Sequence, residues 1–460
     1  MPILFSRYYS TRSLVFFAVE GVLIFLSVIF VCWLFKGTSI FLIDLFDSLR
    51  QALVVTIAFQ VSLYFFDLYD LSIISSLSEA VTRIVQAFGF GCIALALIYY
   101  IMPGLLIPSI TFWAAFLLIC LSVFLLRSLY FNILRKRLFA QVIVIIGTGQ
   151  LASDIAREVE GRSDSGYKVL GFIGGGEPSF NPKGAPVYHA IEDLHDFLFS
   201  EKISRIVVAP DDRRGHIPVH MLIQCKMRGI AIDQGVTFYE RISGKILVER
   251  VDPSWIFFSD GFGFSRWRRM LKCIMDVSIA VPLFVVSLPV VLLSALIIKL
   301  ESPGSVLYSQ ERVGERNRTF KLIKLRSMRQ DAEADGPVWA TEHDERVTRF
   351  GAIIRKTRID ELPQLWNVIR GEMSLVGPRP ERPVFVDQLV KEIPYYNIRH
   401  ATKPGITGWA QVYYHYGASR EDALRKLEYD LYYLKNTSIP LDLFIIFKTI
   451  KTILFQEGSR

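Results

Sequence analysis

Residues 141–152, QVIVIIGTGQLA, decide the fold of the central part of the chain. The β-branched run Gln141–Ile146 predicts a strand that is buried on both faces, as strands of parallel sheets are. The turn 147–152 follows with the pattern GxGxxA, and residues 153–159 have the periodicity of a helix. A strand, a glycine turn and a helix in this order are typical of the first unit of a dinucleotide-binding domain.

Two more apolar runs, 169–173 and 206–209, predict further buried strands. We therefore expect a small, doubly wound, Rossmann-like α/β domain over residues 131–240. Its glycine turn could bind NAD or another nucleotide, or the domain could be a scaffold. We favour the scaffold, because the acidic residue at the expected spacing, Asp164, lies in a polar loop and not at a strand end. The chain also lacks a Tyr-x-x-x-Lys pair for dehydrogenase or epimerase chemistry.

Four apolar segments precede this domain, at 13–35, 50–68, 80–102 and 106–126. Each can cross a hydrocarbon core of about 30 Å, so residues 1–130 are predicted to form four transmembrane helices. Basic residues before the first segment and after the fourth place both ends of this region in the cytoplasm. Asp67 and Asp70 end the second segment, and we expect them near the interface. A functional intramembrane carboxylate there is the less favoured alternative.

The bulk composition agrees with a membrane protein that has water-facing domains. The chain has 460 residues, of which 52% are hydrophobic, and a formal net charge of +8. Its basic residues cluster beside apolar segments, as at 135–137 and 266–272, which favours anionic lipids of the inner leaflet over nucleic acid. The five cysteines form no CxxC pair, so neither a disulfide framework nor a cysteine metal site is indicated.

The second half of the chain carries its densest chemistry in RIDELPQLW, residues 358–366. Two adjacent carboxylates, Asp360 and Glu361, precede Pro363, which can open a helix at its first position. A helix N-terminus favours anions, so a phosphate bound there would meet free N–H groups. Because adjacent residues point in different directions, one carboxylate can face a phosphorus atom while the other holds a metal or a proton. For these residues alone, a charged turn before a surface helix is the favoured explanation.

This stretch opens the third of five motifs that follow one another along the chain: YSQERVG (308–314), FKLIKLRSM (320–328), RIDELPQLWNVIRGEMSLVGPRP (358–380), KPGITGWAQV (403–412) and LEYDLYYLKN (427–436). The set resembles the monotopic phosphoglycosyl transferases, which are the bacterial sugar transferase family. The resemblance covers about residues 265–455. The preceding helices and a CoA-binding-like Rossmann domain are similar to those of the large members of the family, in its exopolysaccharide and exosortase-associated branch.

The resemblance implies transfer of hexose-1-phosphate from a UDP-sugar to undecaprenyl phosphate with release of UMP, the first membrane step of exopolysaccharide or O-antigen synthesis. It implies that Asp360 is the nucleophile that forms a covalent phosphosugar intermediate. Glu361 matches the partner carboxylate assigned to Mg²⁺, and Asp430 matches a third acidic position near the metal. The other matching or candidate positions would hold phosphates or the uridine: Arg355, Arg358, Arg379, Lys321, Lys324 and Arg326.

The same resemblance implies a re-entrant membrane helix over residues 266–300, which breaks at Pro289 and returns to the cytoplasmic face. The usual Ser-Pro of the family is Leu288-Pro289 here, with Ser287 one position earlier. A serine hydroxyl at the break could bind a carbonyl that the proline leaves free. A full span would instead place the two carboxylates outside the cell, away from UDP-sugars.

The predicted plan is a membrane protein of mixed α and α/β class. Residues 241–265 form a linker, and 266–460 form a compact, α-rich catalytic domain behind the re-entrant helix. Its last helix, 438–456, is amphipathic and suits the membrane interface, although it could also cap a soluble core. We expect the bacterial inner membrane, with the soluble domains in the cytoplasm.

Other functions fit the sequence less well. A membrane-anchored UDP-sugar-modifying enzyme would need the missing Tyr-x-x-x-Lys pair, and many nucleotide-sugar glycosyltransferases carry an Asp-x-Asp that does not occur here. A non-catalytic scaffold would have no need of the intact acidic and basic motifs. UDP-glucose or UDP-galactose is the expected donor, and a homodimer is a further possibility that no single segment establishes.

Overall fold

The computed structural model describes residues 11–69, 77–135, 140–162, 165–174, 185–188, 203–210, 219–251, 256, 261–263, 265–330, 332, 344, 346–414, 417 and 419–455. Asp70 and Asp164, which are both named in the sequence analysis, lie outside these residues. The chain divides into two compact units, Met1–Ile242 and Ser243–Arg460.

Apolar helices form the first part of the first unit: α1 (Thr11–Lys36), the short α2 (Thr38–Ile43), α3 (Leu45–Phe65), α4 (Leu77–Ile101) and α5 (Ser109–Arg135). Gly37, with φ of 74°, separates α1 from α2, because its left-handed backbone ends the first helix. The four predicted apolar segments fall on the four long helices. α1 packs against α3 and α5, and α3 against α4, around one apolar core.

A buried ion pair joins the first and the last of these helices. Arg127 on α5 lies 2.7 Å from Glu20 on α1, and the hydroxyl of Tyr69 also donates to Glu20. The sequence analysis singled out Asp67 instead, which lies 3.7 Å from Arg83 at the start of α4. These pairs satisfy charges that would otherwise be costly among apolar helices.

The second part of this unit is a parallel α/β domain: β1 (Gln141–Ile146), α6 (Gln150–Gly161), β2 (Tyr167–Ile173), β3 (Val187–Tyr188), β4 (Arg205–Val208), α7 (Val219–Met227), β5 (Ala231–Gln234) and α8 (Gly235–Ser243). All pairs are parallel, in the order β3-β2-β1-β4-β5. This order confirms the predicted doubly wound domain. Gly147 is required at its turn, because a Cβ there would lie 2.1 Å from the carbonyl oxygen of Ala209.

The second unit is a mixed domain that contains the longest helix of the described residues, α9 (Arg266–Glu301). Its further helices and strands are β6 (Leu307–Val313), β7 (Thr319–Leu325), α10 (Arg349–Lys356), α11 (Gln364–Ile369), β8 (Ser374–Val376), α12 (Pro383–Glu392), β9 (Gly405–Thr407), α13 (Trp409–Tyr413), α14 (Arg420–Asn436) and α15 (Ile439–Phe455). Short 3₁₀ turns lie at Val248–Arg250, Glu315–Asn317, Ile359–Glu361 and Tyr396–Ala401. β6 and β7 form an antiparallel hairpin, and β8 pairs in parallel with β9. Together with the four long helices of the first unit, α9 makes five helices among the described residues that are long and apolar enough to cross a membrane. The protein is therefore a membrane protein.

α9 contacts the rest of its unit at its start, middle and end. Asp276 accepts a hydrogen bond from the amide of Leu375 at 3.2 Å. The ring of Phe284 lies 5.9 Å from that of Trp366. Near its end, Ile298 is buried in a small apolar core. The helix thus contacts the rest of its unit at three separate points along its length.

α9 is continuous through both of its prolines, Pro282 and Pro289. The helix is therefore not interrupted at Pro289, where the sequence analysis expected a break. A proline removes one amide donor and bends a helix without necessarily interrupting it. The Ser287 hydroxyl donates to the carbonyl oxygen of Phe284 at 2.9 Å, and not to that of Val285, which is the carbonyl that Pro289 leaves without its amide partner.

α15 buries two charged residues and exposes large apolar ones. Asp442 is fully buried and Lys451 is 3% exposed, whereas Leu443 and Ile450 are 48% and 45% exposed. The predicted helix is present, and one of its apolar faces is left uncovered by the described residues. An apolar outer face suits the membrane interface that the sequence predicts for it.

Candidate active site

Asp360 and Glu361 lie in the 3₁₀ turn Ile359–Glu361, directly before α11. Arg358 precedes the turn with a left-handed backbone (φ 58°), which redirects the chain after α10. Pro363 occupies the N-cap of α11, one position earlier than the sequence predicts. The two carboxylates are buried, with 6% and 8% of their surface exposed, so their charges are only weakly screened by water.

Glu361 is surrounded by three cations. Its Oε1 accepts hydrogen bonds from Arg379 Nη2 at 2.8 Å and from Arg358 Nη1 at 3.3 Å. Lys324 Nζ lies 3.5 Å from the same oxygen. Burial raises the pKa of Glu361, but the charges of Arg379, Lys324 and Arg358 together outweigh it and hold the pKa well below its usual range. Glu361 is therefore ionised at physiological pH.

Asp360 has the opposite surroundings. Its Oδ1 is buried and has no hydrogen-bond partner among the described residues. Burial and then the charge of Glu361 raise the pKa of Asp360 to about 6, against the opposing charges of Lys324 and Arg355. Adjacent carboxylates whose pKa values are driven apart are typical of sites in which one carries out chemistry and the other holds charge.

The hairpin β6–β7 delivers Lys324 to this site. Asn367, which is fully buried on α11, holds the outer edge of β7. Its Oδ1 accepts from the amide of Ile323 at 3.2 Å, and its Nδ2 donates to the carbonyl oxygen of Lys321 at 2.8 Å. These bonds fix the strand relative to the helix that follows Asp360.

Arg379 comes from the loop after β8, which is held by close backbone contacts. The amide of Gly377 donates to the carbonyl oxygen of Thr407 at 2.9 Å, and the amide of Gly405 to that of Pro378 at 3.0 Å. A Cβ at Gly405 would lie 2.1 Å from the Gly377 nitrogen, so glycine is needed for this approach. The backbone thus aims Arg379 at Glu361.

A buried arginine supports the same loop from behind. Arg399 Nη2 donates to the carbonyl oxygen of Arg379 at 3.0 Å and to Asp430 Oδ2 at 2.9 Å. Its Nε donates to the same oxygen of Asp430 at 3.2 Å. Asp430 therefore acts on the site through Arg399, which holds the backbone of Arg379.

The residues of this site lie in a part of the chain that is similar to known proteins. Residues 267–456 match the family model of the bacterial sugar transferases, and residues 64–214 match that of a CoA-binding domain. The UDP-glucose:undecaprenyl-phosphate glucose-1-phosphate transferase of Caulobacter vibrioides is 42% identical over 192 residues, which are 41% of this chain and 71% of the relative. This chain belongs to the bacterial sugar transferase family.

Two further relatives of this bacterial sugar transferase differ in the sugar of their names. The UDP-N-acetylgalactosamine-undecaprenyl-phosphate N-acetylgalactosaminephosphotransferase of Aeromonas hydrophila is 54% identical over 187 residues, 41% of this chain and 44% of the relative. The undecaprenyl-phosphate glucose phosphotransferase of Komagataeibacter xylinus is 35% identical over 361 residues, 76% of this chain and 65% of the relative. The aligned parts thus span about half to two thirds of these two proteins.

The structure brings four of the six predicted basic residues of this bacterial sugar transferase to the carboxylates: Arg355, Arg358, Arg379 and Lys324. Arg355 acts on Asp360 through its charge, while its Nε donates to Ser327 Oγ at 2.9 Å.

Two predicted basic residues of the transferase lie elsewhere. Lys321 is exposed, because it is three positions from Lys324 in a strand and so points to the opposite face. Arg326 is buried against the chain that follows α9, where it donates to the carbonyl oxygens of Pro303 at 2.7 Å and Ser302 at 2.8 Å. Neither residue is among the cations that act on Asp360 and Glu361, and their assignments to substrate binding stay predictions.

Arg312 on β6 is a basic residue of the site that the sequence analysis did not single out. It shares one face of the hairpin with Lys324, and its Nη1 donates to the carbonyl oxygen of Pro380 at 3.1 Å. Its buried Nε has no hydrogen-bond partner among the residues that the structure describes. Its position in the YSQERVG motif is the sequence feature from which it could have been identified.

The two predicted metal ligands, Glu361 and Asp430, have different partners. Asp430 is bound by Arg399, and the described residues contain no group of three His, Cys, Asp or Glu side chains that could hold a metal. The assignment of Asp430 as a metal ligand stays a prediction. The free Oδ1 of Asp360 beside Glu361 still fits Mg²⁺, since this ion is often bound by one or two carboxylates together with substrate phosphates and water.

A second buried ion pair joins α9 to the site of this transferase. Lys272 Nζ lies 2.6 Å from Asp442 Oδ2 and donates to the carbonyl oxygen of Val376 at 3.1 Å. The Tyr433 hydroxyl donates to Asp442 Oδ1 at 2.7 Å. The same hydroxyl lies 3.1 Å from the carbonyl oxygen of Val376, which also accepts from Lys272. Because Val376 directly precedes the loop of Arg379, this group links the start of α9 to that loop.

Asp442→Asn is expected to destabilise the protein by about 3 to 5 kcal/mol, because it leaves Lys272 largely buried without its counter-charge. Thermal unfolding of the purified chain in detergent, followed by intrinsic fluorescence, measures the effect. The matched control is Asp387→Asn, which changes an exposed carboxylate on α12. An unfolding midpoint for Asp442→Asn equal to that of the control would contradict the structural role of the pair.

Proposed function

We propose that this protein transfers a sugar-1-phosphate from a UDP-sugar to undecaprenyl phosphate and releases UMP. One observation carries the proposal: a buried aspartate with an unpartnered oxygen, Asp360, lies beside a glutamate held by three cations. Phosphoryl transfer needs a positioned nucleophile and charge neutralisation more than acid–base machinery, and this site offers both. The names of the relatives support the same reaction class.

In the first step, an oxygen of ionised Asp360 attacks the phosphorus that bears the sugar. A bond forms between this oxygen and the phosphorus, and the phosphorus–oxygen bond to the UMP part breaks. UMP leaves with the electron pair of that bond, and the sugar-1-phosphate remains on Asp360 as an acyl phosphate. An ionised carboxylate needs no general base for this attack.

In the second step, a phosphate oxygen of undecaprenyl phosphate attacks the same phosphorus. The new bond is the diphosphate linkage of the product, and the bond to Asp360 breaks, which regenerates the carboxylate. The first product, UMP, must leave before the lipid reacts, so ping-pong kinetics are expected.

The cations of the site serve the diphosphate of the donor. In the free protein Arg379, Arg358 and Lys324 compensate the charge of Glu361. A bound diphosphate adds acceptors of the same charge, for which guanidinium groups have suitable geometry. Mg²⁺ held by Asp360 or Glu361 and the phosphates would neutralise further charge on the transferring group.

The contacts of α9 support a helix that enters the membrane from one side and returns to it. A straight helix of 36 residues is about 54 Å long and would carry its two ends to opposite faces of a bilayer. Here Lys272 at the start and Ile298 near the end both pack on the same unit. We therefore place α9 as re-entrant and bent at its prolines, with the catalytic unit on the cytoplasmic side of the inner membrane.

The four long helices of the first unit are proposed as a transmembrane bundle with both ends in the cytoplasm. Their exposed apolar faces would also permit a homodimer. The mass of the detergent-solubilised protein, determined by light scattering, tests the dimer directly.

The reaction is tested by UMP release from purified full-length protein with undecaprenyl phosphate, Mg²⁺ and a panel of UDP-sugars. UMP that requires both the lipid and Mg²⁺ is the expected result for sustained turnover. Release of UDP instead would indicate ordinary glycosyl transfer and would remove the nucleophilic role from Asp360. The panel includes UDP-glucose and UDP-galactose, which the sequence analysis favours, and UDP-N-acetylgalactosamine, which the name of one relative suggests. Turnover of N-acetylated sugars alone would overturn the prediction of glucose or galactose.

The pH profile tests the protonation state of Asp360. Its pKa is raised to about 6 and Glu361 stays ionised, so kcat/KM for the UDP-sugar should fall about tenfold per pH unit below 6 and level off above 7. Lys324→Met removes a charge that lowers the pKa of Asp360, so its profile should move to higher pH. Lys321→Met, on the other face of the strand, should leave the midpoint in place. Equal midpoints for both variants would refute the assignment.

A further inference from the structure

A cavity of about 460 Å³ lies at the start of α9. Its walls come from residues 266–276, from the turn 401–403 and from 437–442, with single contributions from elsewhere in the unit. None of the side chains that surround Glu361 lines it. A volume of several hundred Å³ is typical of cavities that hold small molecules.

The lining of this cavity has an excess of positive charge. Five lining residues are basic: Arg266, Arg268, Arg269, Lys272 and Lys403. Three lining residues are acidic: Asp276, Glu315 and Asp442. Two of them already have partners, since Asp442 pairs with Lys272 and Asp276 accepts a hydrogen bond from the amide of Leu375. The three arginines lie on the exposed first turn of α9, so their charges are available to an anion.

The same cavity has apolar walls, to which Met270, Leu271, Cys273 and Ile439 contribute. The next turns of α9 expose large apolar side chains, among them Ile274 and Leu283. A free phosphate would use only the charges of this site. A lipid would use both parts, with its phosphate among the basic residues and its chains along the helix.

We propose that this cavity binds the phosphate headgroup of an anionic membrane phospholipid, whose acyl chains lie along the apolar face of α9. Basic residues at the cytoplasmic end of a membrane helix attract anionic headgroups. The cavity adds a concave surface to that attraction, which allows one lipid to be retained.

This lipid is distinct from the polyprenyl phosphate that the proposed reaction consumes. The cavity wall reaches β8 through Lys272 and Asp276, which bind the backbone of Val376 and Leu375. The side chain that reaches Glu361 belongs to Arg379, in the loop beyond β8. The proposal therefore does not depend on the identity of the reaction, and its measurement involves no turnover.

The test is native mass spectrometry of the full-length protein in detergent, titrated with phosphatidylglycerol or phosphatidylcholine. We expect one retained phosphatidylglycerol per chain, bound at least about tenfold more tightly than phosphatidylcholine, with the preference decreasing as ionic strength rises. The variant Arg268→Gln/Lys403→Gln should lose the preference. The charge-matched control Lys321→Gln/Lys391→Gln changes two exposed lysines outside the cavity lining and should keep it.

Three outcomes would overturn the proposal. Equal binding of the two phospholipids would show that the charges do not select a headgroup, and an unchanged preference in the cavity variant would place the lipid elsewhere. Displacement of phosphatidylglycerol by one equivalent of undecaprenyl phosphate would assign the cavity to the acceptor. If the double variant does not fold, as judged by its unfolding midpoint, the single variant Arg268→Gln replaces it in the same titration.

Discussion

Asp360→Asn should reduce UMP release by a factor on the order of 10⁴ or more, because an amide cannot displace UMP and form the acyl phosphate. The effect exceeds that expected for any cation of the site, since each cation shares its task with neighbours. Incubation with radiolabelled UDP-sugar, without lipid acceptor, should leave label on the wild-type protein. No label should remain on the variant.

The same substitution should not weaken the fold. The raised pKa of Asp360 means that its ionised form is disfavoured in the folded protein relative to the unfolded chain. The wild type therefore carries a stability penalty above about pH 6, which shrinks as the pH falls and Asp360 becomes protonated. Asn is neutral throughout, so Asp360→Asn should unfold at a higher temperature than the wild type at pH 8, with a smaller difference at pH 5.

Asp387→Asn is the matched control, since it makes the same chemical change at an exposed position of α12. It should retain wild-type UMP release. Activity of Asp360→Asn within tenfold of this control, or label that still attaches to it, would show that another residue is the nucleophile. A loss of activity accompanied by a lower unfolding temperature would instead point to a structural role.

Glu361→Gln has the second largest expected effect and changes both activity and stability. It leaves Arg379, Lys324 and Arg358 close together without their shared counter-charge, in a site with little access to water. Removal of one partner from a buried ion pair costs about 3 to 5 kcal/mol. UMP release should fall on the order of 10²-fold or more, because Arg379, which is proposed to bind the diphosphate, loses the carboxylate of Glu361 that orients it.

A separate signature distinguishes this variant from a merely unstable one. With Glu361 neutral, its charge no longer raises the pKa of Asp360, and the remaining cations lower it. The residual activity of Glu361→Gln should therefore persist to lower pH than that of the wild type. Glu392→Gln serves as the control, because Glu392 forms an exposed pair with Arg420 at 3.7 Å, which contributes little. An unshifted pH profile would contradict the coupling of the two carboxylates.

Sequence patterns predicted the elements well where the signal is local. The apolar length of α1, α3, α4 and α5, and the β-branched run of β1, each reflect burial along a single segment. The period of a strand would also have separated Lys324 from Lys321, because residues three positions apart point to opposite faces. The carboxylates and Arg379 were recognised from sequence motifs. A motif identifies the residues of a site but not the distances between them.

The remaining features depend on partners that are distant in the chain. The pairing of Asp430 with Arg399 could not be predicted, because Arg399 lies in a turn with no distinctive pattern. The contacts of Arg326 could not be predicted either, because its acceptors belong to the chain after α9. Glu20 was overlooked because Arg127, its partner, is 107 residues away. Such pairs follow from tertiary packing alone.

The exposed apolar residues of α15 have a practical consequence for dividing the protein. A fragment that begins at Ser243, without the four N-terminal helices, would still present Leu443 and Ile450 to solvent beside the apolar length of α9. Removal of these apolar helices would therefore not yield a freely soluble enzyme. Expressed alone, the fragment should sediment with vesicles and resist extraction by high salt or alkaline carbonate, as an integral protein does.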